Sequence, residues 1–129
     1  MDYLIDTKKS RQIDICSQDI RVLITDELFI ETDADGADYV NATYEMWFDV
    51  DKYFGTNTKS DDAVWVNFYT NWYADGKVTA QMFLNTPTQD IQFEWPLTAK
   101  EKKFFAEKME EAAQKQTGMS LKDLLASVA

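Results

Sequence analysis

Hydrophobic and polar residues divide the chain into a β-rich body and a helical tail. In the body, apolar residues recur at every second position, the period that a strand shows when one of its faces is buried. Two long segments follow this pattern, and their predicted core residues are Tyr44, Met46, Phe48 and Val50 in the first and Val64, Val66, Phe68, Thr70 and Trp72 in the second. The pattern therefore predicts half-buried strands of an antiparallel sheet.

Two Ala-Asp-Gly triplets predict the turns of two β-hairpins. Asp35-Gly36 lies between residues 28–30 and a strand predicted at 39–50, and Asp75-Gly76 joins residues 63–73 to residues 78–84. Glycine adopts the positive φ that such turns require, so Asp-Gly between apolar runs is a hairpin signal. A further strand is expected at about residues 88–95.

Residues 1–27 fit two patterns. The apolar residues Ile13, Ile15, Ile20, Val22 and Ile24 alternate with polar neighbours as in strands. A different set, Ile20, Leu23, Ile24 and Leu28, also shares one face of a helix. Strand is the interpretation that we favour, with helix as the alternative.

The period changes after Trp95-Pro96. Thr98 and Glu101 have the spacing of a capping box, which predicts the start of a long helix that Gly118 ends. Ser120 and Asp123 repeat the signal before a short second helix. The predicted fold class is α+β: an antiparallel sheet of about four to six strands with both C-terminal helices packed on one face. We expect a single domain of residues 1–129, with an N-terminal segment (1–27), a sheet body (28–95) and a helical tail (97–129).

Charge is distributed unevenly along the chain. The net charge is -10, and the segment from Asp26 to Asp51 holds nine carboxylates and neither Lys nor Arg. The sequence pI of about 4.3 disfavours direct contact with nucleic acid or with anionic membranes, because both repel a negative surface. The first six residues have neither the basic nor the apolar part of a secretion signal, so we expect a cytoplasmic protein.

Composition removes several kinds of chemistry. The chain has no His and a single Cys, which excludes His-dependent triads, Cys–His catalysis and His-ligated zinc. The run from Glu31 to Gly36 has the spacing of a calcium loop at its start, but the twelfth position, where a bidentate Glu belongs, is Ala42. We therefore predict no catalytic residue, no metal site and no cofactor.

Two sets of residues are candidates for binding. The acidic set, predicted to contact a partner, consists of Glu45, Trp47, Asp49 and Asp51 on one strand face together with Asp33, Asp35 and Asp38 of the first turn. The aromatic and amide set, an alternative site for a small ligand, consists of Trp65, Asn67, Tyr69, Asn71 and Tyr73. Such residues are typical of recognition surfaces, but if the N-terminal segment covered them they would form a second core layer instead.

The sequence favours a small non-catalytic interaction protein that binds a basic protein partner. A sharper form of this hypothesis makes the partner a nucleic-acid-binding enzyme and the protein a phosphate-mimicking inhibitor of the kind that phages and mobile elements encode. The alternatives are a small-ligand binder that uses the aromatic and amide set, and a minimal enzyme that uses a carboxylate pair such as Glu45 with Asp49.

Overall fold

The chain forms an antiparallel sheet with two helices packed on one of its faces. The structure is a computed structural model and describes residues 13–18, 20–25, 27–48, 65–85 and 90–129. Its strands are β1 (Arg21–Ile24), β2 (Phe29–Thr32), β3 (Asp38–Trp47), β4 (Trp65–Tyr73), β5 (Val78–Asn85) and β6 (Asp90–Glu94), and its helices are α1 (Ala99–Thr117) and α2 (Leu121–Ser127). The predicted α+β class is confirmed.

The strands are arranged in the order β1, β3, β4, β5, β6, and β2 also pairs with β3. All of these pairs are antiparallel. The start of β3 pairs with β2, with Asp38 opposite Thr32, and its end pairs with β1, with Trp47 opposite Arg21. Because β4 occupies the other side of β3, strands β1 and β2 lie end to end along one margin of the sheet.

The two Ala-Asp-Gly triplets form turns with the same hydrogen bonds. In the first, the Asp33 amide donates to the Ala37 carbonyl at 2.9 Å and the Gly36 amide donates to the Asp33 carbonyl at 3.1 Å. The second turn, residues 73–77, repeats both bonds at the same distances. Gly36 and Gly76 have φ of 86° and 94°, a region that favours glycine. Both predicted hairpins are confirmed.

The core lies between the sheet and the helices. The even-numbered residues of β3 from Val40, of β4 from Val66 and of β5 from Ala80 are buried there. The aromatic rings of Tyr44, Phe68 and Phe105 form its centre. The rings of Phe68 and Phe105 stack at 5.0 Å, and Tyr44 meets Phe105 edge-on at 4.9 Å. The core predicted for the two long strands is confirmed wherever it is described. Phe48 is half-buried against it, and Val50 and Val64 lie outside the described residues.

Thr70 is a fully buried polar residue of the core, and its hydroxyl is hydrogen-bonded twice. Trp72 Nε1 donates to Thr70 Oγ1 at 2.8 Å, and the Tyr44 hydroxyl lies 2.9 Å from the same oxygen. A buried hydroxyl without partners would destabilise the fold, so these bonds explain why the core accepts a threonine here.

The strand interpretation of the N-terminal segment is right for β1 and wrong at Ile13 and Ile15: Ile15 lies in a turn, and Ile13 stands before that turn without belonging to a strand. The physical reason is Asp14, whose Oδ1 accepts the Cys16 amide at 3.1 Å while its carbonyl accepts the Ser17 amide at 2.9 Å. Side chains that bond nearby amides in this way favour turns over strands. Ile13 and Ile15 are buried in the core on the helix side. The described part of the N-terminal segment therefore does not supply a second core layer on the other face.

Local capping signals set both helices. Thr98 and Glu101 form the predicted capping box at the start of α1, and Gly118 ends that helix with φ of 74°. Ser120 caps α2 by accepting the Asp123 amide at 3.1 Å. Neither of these helices is long and apolar enough to cross a membrane.

Candidate interaction surface

The face of the sheet opposite the helices, called the open face here, combines polar, aromatic and acidic side chains. It is formed by the odd-numbered residues of β1, β2, β3 and β5, by those of β4 from Asn67 to Tyr73, and by the even-numbered residues of β6. Side chains alternate along a strand, so burial of one set in the core leaves the other set on this face. Almost all of its side chains are half-buried or exposed, so it is a surface rather than a second core.

A row of amides crosses the open face perpendicular to the strands. Asn41 Nδ2 donates to Asn71 Oδ1 at 2.7 Å, and Asn71 Nδ2 donates to Thr79 Oγ1 at 3.2 Å. These bonds fix the orientation of the side chains, and each amide keeps a second N–H that a ligand or partner can bind. The row presents donors and acceptors whose positions are set before anything binds.

A shallow depression of about 350 Å³ surrounds this row. It is lined by Glu31, Tyr39, Asn41, Tyr69, Asn71, Gln81, Phe83 and Gln92. Tyr69 and Asn71 were predicted as members of the aromatic and amide set, whereas the residues from β3, β5 and β6 were not predicted. The alternation of residues 79–85 predicted which face Gln81 and Phe83 share. Pairing between β4 and β5 then places Gln81 opposite Tyr69 and Phe83 opposite Asn67.

The first hairpin turn holds a carboxylate that is tightly bonded. Asp33 Oδ1 accepts the amides of Asp35 at 3.0 Å and Ala37 at 2.9 Å, and Oδ2 accepts the Tyr73 hydroxyl at 3.1 Å. These bonds, with that from Ala37 foremost, lower the pKa of Asp33 below its ordinary value. Burial and the bond to Asp33 raise the pKa of Tyr73.

Asp33 and Tyr73, with the bonds between them, are called the turn cluster here, and Tyr39 extends this cluster onto the open face. Its hydroxyl donates to Glu31 at 3.0 Å, and its ring lies 5.1 Å from the ring of Tyr73. Burial and then the bond to Glu31 raise the pKa of Tyr39 above its ordinary value. The turn cluster therefore couples the first hairpin to the second through two tyrosines.

Glu45 and Trp47 share the open face at the far end of β3, as the alternation predicts. Trp47 is 45% exposed and Glu45 is half-buried. The Arg21 guanidinium lies 5.3 Å from the centre of the Trp47 ring, within the range of a cation–π contact. A positive charge thus stands beside this part of the acidic set, which the sequence pattern did not predict.

The structure does not gather the acidic set into one patch. The turn acids and the pair formed by Glu45 and Trp47 lie at opposite ends of β3. Glu45 is seven positions beyond Asp38 along the strand, a distance of about 23 Å. Asp49 and Asp51 lie outside the described residues, as does the side chain of Trp65. Of the aromatic and amide set, Asn67, Tyr69, Asn71 and Tyr73 do share the open face.

Charge is segregated between the two layers of the fold. The six strands and their two hairpin turns hold eight acids and two bases, Arg21 and Lys77. The two helices hold five acids and six lysines. Among these described elements, the excess negative charge therefore lies in the sheet layer, and the helical layer is nearly balanced.

The remaining candidates for chemistry that lie wholly among the described residues have structural explanations. Both carboxylate oxygens of Asp33 are used within the turn cluster, and the described residues contain no group of three or more acids or thiols placed to hold a metal. Burial and the nearby Asp14 raise the pKa of the Cys16 thiol, which disfavours the nucleophilic thiolate. The carboxylate pair suggested for a minimal enzyme includes Asp49, outside the described residues.

Known proteins give no second line of evidence for the open face. In comparisons with protein-family models, with curated proteins and with solved structures, the chain had no match.

Proposed function

We propose that the protein is a non-catalytic interaction module that binds a basic protein partner with its sheet layer. The observation that carries the proposal is the charge segregation: eight acids and two bases in the sheet layer, against a nearly balanced helical layer. Charge of one sign on one side of a molecule steers an oppositely charged partner toward that side and raises the association rate.

The open face supplies the contacts that follow the encounter. Half-exposed Trp47 and the tyrosines offer apolar area with polar tips, and the Asn41–Asn71 row offers oriented hydrogen bonds. Aromatic residues with hydrogen-bonding ends are enriched at protein interfaces. The separation of the turn acids from Glu45 suits a partner that touches the sheet at two places rather than in one acidic pocket.

A nucleic-acid-binding enzyme is the partner that this chemistry fits best, because its basic surface is built for a row of phosphates. The carboxylates of the first turn, of Glu31 and of Glu45 offer such a surface an alternative set of negative charges. In this form of the proposal the protein is an inhibitor that competes with nucleic acid.

Competition tests the proposal. The chain is added to complexes of basic DNA-binding proteins with a fluorescent DNA duplex, and release of the duplex is followed by anisotropy, with poly-glutamate of equal net charge as the control. We expect at least one of the proteins to release DNA at a near-stoichiometric amount of the chain, far below the amount of poly-glutamate needed. If the chain never outperforms poly-glutamate, its charges act only as a generic polyanion and the proposal is wrong.

The second candidate function is binding of a small neutral polar ligand in the depression around Asn41 and Asn71. The observation in its favour is the row of oriented amides beside Tyr69 and Phe83, since rings and amides together suit a sugar or a nucleoside. The depression is open rather than enclosed, which favours a protein partner. Titration with monosaccharides and nucleosides, followed by shifts of the Asn71 side-chain amide signals in NMR spectra, distinguishes the two.

A further inference from the structure

The outer edge of β2 has no strand paired with it in the part of the chain that the structure describes. β2 pairs with β3 on one side only, and all four of its residues are exposed. An edge strand of this kind carries N–H and C=O groups that another chain can bind.

Hydrogen bonds of the first turn show which groups face outward. The Asp33 amide donates to the Ala37 carbonyl, so the backbone N–H and C=O groups of Asp33 point toward β3. By alternation along an antiparallel pair, the backbone groups of Glu31 and Phe29 point toward β3 as well. Ile30 and Thr32 then direct their backbone groups away from the sheet. Leu28 belongs to the same outward row, and its amide donates to Gln116 Oε1 of α1 at 2.8 Å. This bond shows that the row is accessible to an acceptor from outside the sheet.

Exposed apolar side chains concentrate at the same margin. Among the described residues, the large hydrophobic side chains that remain exposed are Leu23 (41%), Phe29 (50%), Ile30 (58%) and Trp47 (45%). All four belong to β1, β2 or the last residue of β3. Phe29 lies on the open face and Ile30 on the opposite face. A strand added beside β2 would therefore cover apolar surface on both faces of the sheet.

The charge around β2 determines what can bind there. Glu27, Glu31, Asp33, Asp35 and Asp38 flank the strand, and the sequence has no base between Asp26 and Asp51. A second copy of the chain would bring the same acids to this edge, and like charges across paired strands are unfavourable. A segment that alternates apolar and basic residues would be attracted instead.

We infer that the outer edge of β2 binds an extended, basic and apolar segment of the partner protein as an additional strand. The inference rests on the proposed function and makes it specific: main-chain bonds to Ile30 and Thr32 give the segment its register, and the flanking carboxylates select its charge. Phe29 and Ile30 supply the apolar contacts.

A designed peptide of alternating lysine and valine, labelled with a fluorophore, is the probe, and anisotropy with the full chain measures its affinity. Ile30→Pro removes an outward N–H without removing a bond of the β2–β3 ladder, because proline is tolerated at such edge positions. The matched control is Ala99→Pro at the exposed first position of α1, where proline is also tolerated and which lies on neither the open face nor the edge of β2. Ile30→Pro should weaken binding at least about tenfold, whereas Ala99→Pro should leave it unchanged.

Two further arms keep the test valid if Ile30→Pro does not fold. Replacing both exposed side chains, Phe29→Ala with Ile30→Ala, should weaken binding several-fold without unfolding the protein. A lysine–valine peptide with N-methylated amides keeps charge and composition but loses main-chain donors, and it should bind at least about tenfold more weakly.

The outcomes separate the inference from the proposed function. Equal affinity for the two peptides, or equal affinity of Ile30→Pro and the unmodified chain, would mean that charge alone attracts the probe; the edge inference would then be wrong while the proposed function stands. Absence of binding by the unmodified chain would also overturn the inference. A dimeric chain that Ile30→Pro converts to a monomer would show that the edge binds a second copy, contrary to the inference.

Discussion

Of the acids in α1, Glu101 is the one whose replacement should destabilise the fold most, because it is buried. Its side chain is 6% exposed, and its two oxygens accept different donors: the Thr98 amide at 2.9 Å and Trp95 Nε1 at 3.1 Å. Glu101→Ala removes both acceptors. Glu101→Gln keeps one oxygen and places an NH₂ group, itself a donor, against the other donor.

The expected magnitudes follow from these two bonds. A buried donor that loses its partner costs about 1 to 3 kcal/mol, and a carboxylate in the first turn of a helix adds up to about 1 kcal/mol through the helix dipole. Trp95 is 2% exposed and cannot turn to water, whereas the exposed Thr98 can. We therefore expect a loss of about 1 to 3 kcal/mol for Glu101→Gln and about 2 to 5 kcal/mol for Glu101→Ala.

Urea denaturation of each variant measures the free energy of unfolding, and the exposed Glu107→Ala is the control, expected within about 0.5 kcal/mol of the unmodified chain. Repeating Glu101→Gln in a Trp95→Phe background removes the indole donor, so its effect should shrink by about 1 kcal/mol or more. The same loss in both backgrounds, or a loss for Glu101→Ala no larger than that for Glu107→Ala, would refute this reasoning.

Three further predictions concern the caps and the first turn. Thr98→Ala should lower the free energy of unfolding by about 1 kcal/mol, because the Glu101 amide loses the hydroxyl that caps it; unchanged thermal stability would contradict this. Hydrogen bonds in the fold lower the pKa of Asp33, so its carboxylate stabilises the fold above the unfolded pKa, and this stabilisation is lost as pH falls through the folded pKa. The free energy of unfolding should therefore fall less steeply with acid in Asp33→Asn than in the control Asp35→Asn. Parallel plots of the free energy of unfolding against pH for the two variants would contradict this prediction. Calcium should bind the first turn no more tightly than about millimolar, since Asp33 is used within the turn and the twelfth ligand position is Ala42; micromolar binding by calorimetry that Asp33→Asn abolishes would reveal a site.

Features set by neighbouring residues could be predicted from the sequence. The two Asp-Gly turns, the Thr98 cap and the Gly118 helix end depend on a few consecutive residues, and all of them form as predicted. The core residues of β3 and β4 follow from a period of two within one segment. These signals are local, so a single sequence carries them.

Features set by distant residues could not be predicted. Ile13 and Ile15 follow the alternation of a strand, yet the bonds of Asp14 favour a turn there, and both residues are buried in the core without forming a strand. The depression on the open face needs Gln81 and Gln92 on the same surface as Asn71, which depends on how β5 pairs with β4 and β6 pairs with β5. The position of β2 at an edge, and so the exposure of Ile30, depends on the pairing of the whole sheet.

The central claim is that a basic partner recognises the charges of the sheet layer. The most direct measurement is the association rate with the basic protein that the DNA-displacement assay identifies, at about 50 and 500 mM salt, for two variants of equal charge change. Glu45→Gln with Glu94→Gln neutralises two acids of the open face, and Glu107→Gln with Glu111→Gln neutralises two acids of α1.

At low salt the open-face variant should associate at least about threefold more slowly than the unmodified chain, and the helix variant should associate at nearly the unmodified rate. High salt should slow the unmodified chain and reduce the difference between the variants, since ions screen exposed charges. Equal rates for both variants at both salt concentrations would contradict the claim and favour the small-ligand function of the open face.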